Sequence, residues 1–180
     1  VQQRFSLPLH AIESGLTPGG SDLGSHKFAV VELPTVLLIA GPGINSTEAG
    51  EAWYNLERLA GLSPSMAEPQ QLKQLDLSRY SHIVLPDGNY SSWQDAEIKH
   101  LQHWLERGGV LWGHKRAAAW LATAGLLKAG LWQGEEMTSL IPSDNLRYQD
   151  KELLAGKQRI AGAIYQAELD LTHPLTFGFT

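Results

Sequence analysis

Residues 108–121 (GGVLWGHKRAAAWL) run from an apolar strand through a tight turn into an alanine-rich helix. A side chain at the tip of such a turn projects from a helix N-terminus, where a thiol is activated by a lowered pKa. The turn is strained and tolerates only small neighbours, and Gly113 and Ala117 meet that demand. The chain contains no cysteine, and the tip is held instead by His114, Lys115 and Arg116. A desolvated lysine can attack a carbonyl and form a Schiff base, but it needs an apolar or cationic setting to lose its proton. Without one, a lysine at a helix N-terminus sits at the unfavourable end of the dipole and reaches for water or a carboxylate. Spacing alone leaves both roles open.

Alternating strands and helices must position that turn. Residues 35–40 (TVLLIA) form a continuous branched apolar run between Pro34 and Gly41-Pro42-Gly43, the pattern of a strand buried on both faces. Apolar residues at helical spacing predict a helix over 47–60, with Asn45 and Glu48 as a capping pair. Residues 82–86 (HIVLP) read as a second buried strand. A helix is expected over 94–107, capped by Ser92 and stopped by Gly108. Residues 110–113 give the third strand and 115–124 the third helix. Short extended pieces are expected at 5–9 and 27–32, and one further strand at 159–169; 132–156 show no clear pattern. Strands alternating with helices of this length specify an α/β fold with a mostly parallel sheet. The domain reading is a lead-in segment or linker from an upstream domain over 1–33, then an α/β domain over 34–180.

In an open parallel sheet, sites lie beyond the carboxyl ends of the strands. Three segments converge there: 41–51, 86–93 and 113–117. Besides the turn they bring Glu48 and Glu51 from the first helix and Asp87, Gly88 and Asn89 from the loop after the second strand. Acidic residues in a first helical turn are ordinary dipole partners, and either glutamate can also pair with Lys115 or Arg116.

Bulk properties exclude several function classes. The 180 residues carry a formal charge of -5, with 43% apolar and 18% charged residues. The chain can build a core, and it lacks the basic face that nucleic-acid binding needs. No apolar run approaches the roughly 18 residues of a membrane span, and no signal peptide opens the chain. The sequence starts at VQQRF and stops at Phe179-Thr180, which reads as an excised part of a longer protein or a processed form. His10 and Glu13 match a zinc-ligand spacing in a segment with no second supporting motif. Glu97, His100 and His103 fall opposite the apolar stripe Ile98, Leu101 and Leu105, which marks a solvated face. The six tryptophans are expected in helix–sheet packing, with Trp93 near a loop mouth.

With these motifs laid out, the chain resembles the class I glutamine amidotransferase-like domain found toward the C-terminal end of large bacterial zinc carboxypeptidases of the carboxypeptidase A superfamily. The stretches that carry the resemblance are SGLTPGGSDLGSHKF, PTVLLIAGPGINSTEAGEAW, LDLSRYSHIVLPDGNYSSW, LERGGVLWGHKRAAAWL and RIAGAIYQAELDLTHPLTFGF. The resemblance implies a flavodoxin-like three-layer sandwich. It also implies a parent chain whose separate peptidase domain is this domain's partner and holds the zinc, with no cofactor in this segment. It favours a periplasmic or secreted setting. It places the nucleophile turn at His114-Lys115-Arg116 and an oxyanion loop at Asp87-Gly88-Asn89. Thr172-His173-Pro174-Leu175 is similar to the His-Pro-Glu of the amidotransferase triad, but Leu175 stands where the orienting carboxylate belongs. No thioester chemistry is open to this chain, so the expectation is a non-catalytic accessory domain. The alternatives are a hydrolase or lyase that uses a residue other than cysteine, and a small-molecule sensor module.

Overall fold

The computed structural model describes residues 10–131, 136, 147–157 and 166–176. The chain divides into two compact units, Val1–Lys128 and Ala129–Thr180. The first holds a four-stranded, all-parallel sheet in the order β2-β1-β3-β4. The strands are β1 (Val36–Ile39), β2 (Ser65–Ala67), β3 (His82–Leu85) and β4 (Val110–Gly113). Leu37 lies opposite Ile83 and Ile83 opposite Leu111, so the central strands run in step. Three strands fall where the apolar runs place them. The edge strand β2 does not announce itself, because Ser65-Met66-Ala67 is short and has no branched residue.

Alternate strand residues point to opposite faces. On one face, Leu37, Ile39, Ile83 and Leu85 pack with Leu101 and Trp104 of α2 (Asp95–Glu106) and with Ala117 and Leu121 of α3 (Arg116–Thr123). On the other, Val36, Leu38 and Val84 meet Ala52 of α1 (Ser46–Tyr54) and Leu56 just beyond it. β1 is buried along its whole length because it has neighbours on both sides and helices on both faces. β4 has neither. Val110 and Trp112 lie on the α1 face, and Trp112 is 65% exposed. The expectation that all six tryptophans pack inside therefore fails at Trp112 and, less strongly, at Trp53. Trp132 lies outside the described residues.

The helix ends follow local chemistry. Asn45 Oδ1 accepts from the backbone N–H of Thr47 (3.0 Å) and Glu48 (3.3 Å), which starts α1. The expected continuous helix to residue 60 instead widens into a π turn over Asn55–Leu59, where the Ala60 N–H reaches back to the Asn55 carbonyl. α2 is capped by Gln94 rather than Ser92: Glu97 accepts from the Gln94 N–H (3.0 Å) in a capping box. Its far end turns at Gly108, whose φ of 96° suits glycine. Gly109 follows because a Cβ there would stand 2.3 Å from the Trp104 ring.

Residues 27–32 form no strand; they lead into β1 with no paired neighbour among the described residues. Residues 5–9 lie outside the described residues, as do 159–165 of the expected strand at 159–169; the remaining 166–169 are not in a strand. In the second unit a 3-10 turn (Tyr148–Asp150) enters α4 (Lys151–Lys157), and Pro174–Thr176 form another 3-10 turn. Among the described residues no helix is long and apolar enough to cross a membrane.

Two glycine substitutions test this packing. In Gly113→Val the new Cβ would meet Leu121 Cδ1 at 2.7 Å and the Ala117 backbone at 3.3 Å. Overpacking of this kind should cost about 1–3 kcal/mol. Gly50 lies in α1 with no atom within 4 Å of a Cβ, so Gly50→Ala should stabilise by roughly 0.5–1 kcal/mol. Urea denaturation of the two variants should show opposite shifts from the parent chain.

Candidate functional site

The loops after β1 and β3 are bound to each other before any side chain is considered. Ile44 and Gly88 form an isolated antiparallel bridge. The Asn45 N–H donates to the Asp87 carbonyl (2.8 Å), and the Asn89 N–H donates to the Gly43 carbonyl (2.9 Å). Gly88 must be glycine here, since a Cβ would sit 2.6 Å from Ile44 Cδ1 and 3.1 Å from the Gly43 carbonyl oxygen. This clamp fixes the floor on which the charged groups meet.

Asp87 is the one charged residue buried among the described residues. Its carboxylate faces the start of α3. Oδ1 accepts from the Arg116 backbone N–H (3.2 Å) and from Arg116 Nε (2.8 Å), and Oδ2 accepts from the second guanidinium arm (3.0 Å). The Arg116 hydrogen bond holds the Asp87 carboxyl below its ordinary value of 3.8, against the opposing effect of burial. Nearby, burial pushes the Tyr90 hydroxyl well above its usual range, with the Asp87 charge adding to the effect. That hydroxyl donates to the Pro86 carbonyl (2.8 Å).

Lys115 sits at the tip of the turn with φ 54° and ψ -123°. Among the described residues it alone, other than glycine, has a positive φ. Backbone in this region is strained for any residue with a Cβ. The Lys115 ammonium closes onto Glu48 Oε1, and His114 Nδ1 stands 3.5 Å from Glu48 Oε2. Glu48 is thus a shared partner of two turn residues and not a solvated helix start; its side chain is only 15% exposed. It does not fold back to complete the expected capping pair with Asn45. The Glu48 hydrogen bond raises the Lys115 pKa, so the amine is held protonated. That setting is the reverse of an activated nucleophile. Glu51 forms no ion pair among the described residues, and its charge reaches Lys115 only through space.

The structure brings all eight sequence-identified residues to one end of the sheet, but in two groups. Glu48, Glu51 and His114 border a cavity of about 450 Å³ whose walls include Leu56, Val84 and Trp112. Asp87, Gly88, Asn89, Lys115 and Arg116 do not line it. The expected oxyanion loop offers little to an oxyanion: the Asn89 N–H is already bonded to Gly43, and the Asp87 carboxylate occupies the start of α3. Sequence reasoning missed Leu56 and Trp112. The π turn places Leu56, and nothing in an apolar VLWG run reveals that one face lacks a cover.

The remaining candidates do not join this end. Glu97 is spent on the Gln94 cap. The His100 Nε2–H donates to the Leu75 carbonyl (3.1 Å), and His103 stands beside Glu106 at 4.0 Å. His10 and Glu13 are exposed. In the second unit, His173 lies in a turn whose backbone carbonyl accepts from Thr176 Oγ1 (2.8 Å). No group of three His, Asp or Glu among the described residues could hold a metal ion. Comparison with protein families, with curated proteins and with solved structures finds no match to this chain.

Substitutions at two positions separate the roles of the paired groups. Asp87 has a lowered folded pKa, so its contribution is present above the ordinary carboxyl value and is lost as pH falls through the folded one. Asp87→Asn should therefore lower stability at neutral pH by about 1–2 kcal/mol, through the weakened bonds at the start of α3. It should also flatten the acid limb of the stability curve below about pH 4. Lys115→Gly relieves a backbone conformation that only glycine adopts freely, and the exposed ion pair it removes is weak. Its melting temperature should rise, while that of Lys115→Ala should stay close to the parent's. A fall in the glycine variant would mean that the Glu48 contact outweighs the backbone strain.

Proposed function

We propose that this chain is a non-catalytic α/β domain of the class I glutamine amidotransferase-like kind, with a flavodoxin-like three-layer architecture. It serves as an accessory part of a larger zinc metallocarboxypeptidase, where it supports, orients or regulates the peptidase domain. The observation that carries this reading is the turn at Lys115. A strand passes through one strained residue into a helix, the backbone arrangement that serves a nucleophile. The residue in that position is a protonated lysine tied to Glu48. The geometry of an elbow is kept and its chemistry is closed off.

Several further features agree. Asp87 caps the helix that would otherwise stabilise an anion. Glu48 and Glu51 line the cavity together with His114, where they suit a regulatory ligand or a contact from the peptidase domain. The zinc belongs to the peptidase part of the parent chain. The sequence of the full gene tests the assignment: a carboxypeptidase zinc motif upstream of this segment is expected, and its absence overturns the accessory role.

The chemistry is tested separately. The purified chain should release no ammonia from glutamine and cleave no peptide, since a thioester route needs a thiolate. After dialysis it should retain far less than about one zinc per chain. Turnover above a buffer control that disappears in Lys115→Ala would replace this reading with that of an enzyme working without cysteine.

A further inference from the structure

An unpaired segment and an unpaired strand edge lie exposed among the described residues of the first unit. One is the segment 28–33 (FAVVEL), which leads into β1. Val30, Val31 and Leu33 are 89%, 94% and 84% exposed. Among the described residues no hydrogen bond engages the backbone between the Phe28 N–H, which meets the Ser25 carbonyl, and the Thr35 N–H, which meets Ser81 Oγ. Branched and aromatic residues of high strand propensity are unusual in a segment left in water. The other piece is the outer edge of β4. Among the described strands it pairs with β3 alone. It carries no lysine, proline or inward charge to discourage a further strand, and Val110 and Trp112 beside it are open to solvent.

The segment does not reach its own β4 edge by a simple path. Thr35 is fixed to Ser81 at the amino end of β3 by four hydrogen bonds of 2.9–3.2 Å. β1 and β4 are separated by β3, roughly 10 Å across two strand spacings. Pro34 confines Leu33 to extended backbone, so the chain leaves the sheet without turning back along it. A donor strand and an acceptor edge in one chain, held apart by the fold, are satisfied together when two molecules trade them about a two-fold axis.

We infer that two copies of this chain associate by reciprocal strand exchange: residues 28–33 of one copy add to the outer edge of β4 in the other. Ala29, Val31 and Leu33 share a face by the two-residue period of a strand. They lie beside Val110 and Trp112 of the second copy and extend the apolar surface of the α1 face. The main-chain bonds supply the affinity, and the alternating side chains set the register.

Sedimentation equilibrium and light scattering on the 180-residue chain, over a wide range of concentration, test this. A monomer–dimer equilibrium is expected. Val31→Lys and Trp112→Lys should each weaken it by at least about tenfold. Both side chains are exposed, so circular dichroism should stay that of the parent. The combination Val31→Glu with Trp112→Lys should recover part of the loss. Alternate amides of 29–33, and the outward-facing amides of Leu111 and Gly113 on β4, should gain hydrogen-exchange protection only as concentration rises. A monomer at every concentration overturns the inference, as does a dimer indifferent to both substitutions. Concentration-independent protection of 29–33 would place the segment on its own chain and overturns it equally.

Discussion

A buried carboxylate in a mostly apolar unit has to be satisfied on all sides, and Asp87 is satisfied by two different elements at once. Its backbone carbonyl anchors Asn45, the residue that starts α1, and its side chain anchors Arg116, the residue that starts α3. One residue therefore sets the N-termini of helices on opposite faces of the sheet. Its own position is fixed by the Gly88 approach to Ile44, so that the loops after β1 and β3 behave as a single rigid rim. The turn at Lys115 is then held between this rim and Glu48. Strain at such a turn persists only where the surroundings over-determine it, and here ion pairs and hydrogen bonds on both sides do so.

The same arrangement takes up N–H groups that would otherwise face an anion at this rim. A helix N-terminus with small neighbours ordinarily presents free N–H groups. Here the Arg116 N–H is taken by Asp87, the Ala117 N–H by the His114 carbonyl and the Asn89 N–H by Gly43. The cavity bordered by Glu48, Glu51 and His114 lies on the α1 face, and the rest of its lining is mostly apolar.

What could be read from the sequence divides along physical lines. β1 and β3 were plain because double-sided burial demands unbroken apolar runs, and Pro and Gly mark their ends. The convergence of Glu48, Asp87 and Lys115 followed from the parallel topology alone, because strand carboxyl ends share one edge. Pairing was less visible: that Glu48 would serve both Lys115 and His114 depends on rotamers, which spacing does not encode. β4 falls at 110–113 as the sequence indicates, but the exposure of Trp112 was not legible, because an apolar run looks the same whether both faces are covered or one is bare. The π turn left no mark either. It replaces i→i+4 bonds by a wider set without any proline or glycine to announce it. The gap at β2 has the plainest cause, since an edge strand of three residues has little side-chain pattern to show.

The aromatic group under the β3 loop has an optical consequence. Trp93 and Trp120 stand edge to face with centroids 5.3 Å apart, and Tyr90 lies 5.0 Å from Trp93. Indole and phenol transitions this close couple, and the coupling depends on the mutual orientation of the rings. Trp93 comes from the segment between β3 and α2, while Trp120 belongs to α3. Their coupled absorption is a built-in gauge of whether α3 is seated against the sheet. The exposed ring of Trp112 lies on the opposite face, in the wall of the cavity beside His114. Among the described residues, Trp93 and Trp120 thus report the face packed by α2 and α3, and Trp112 the uncovered part of the α1 face.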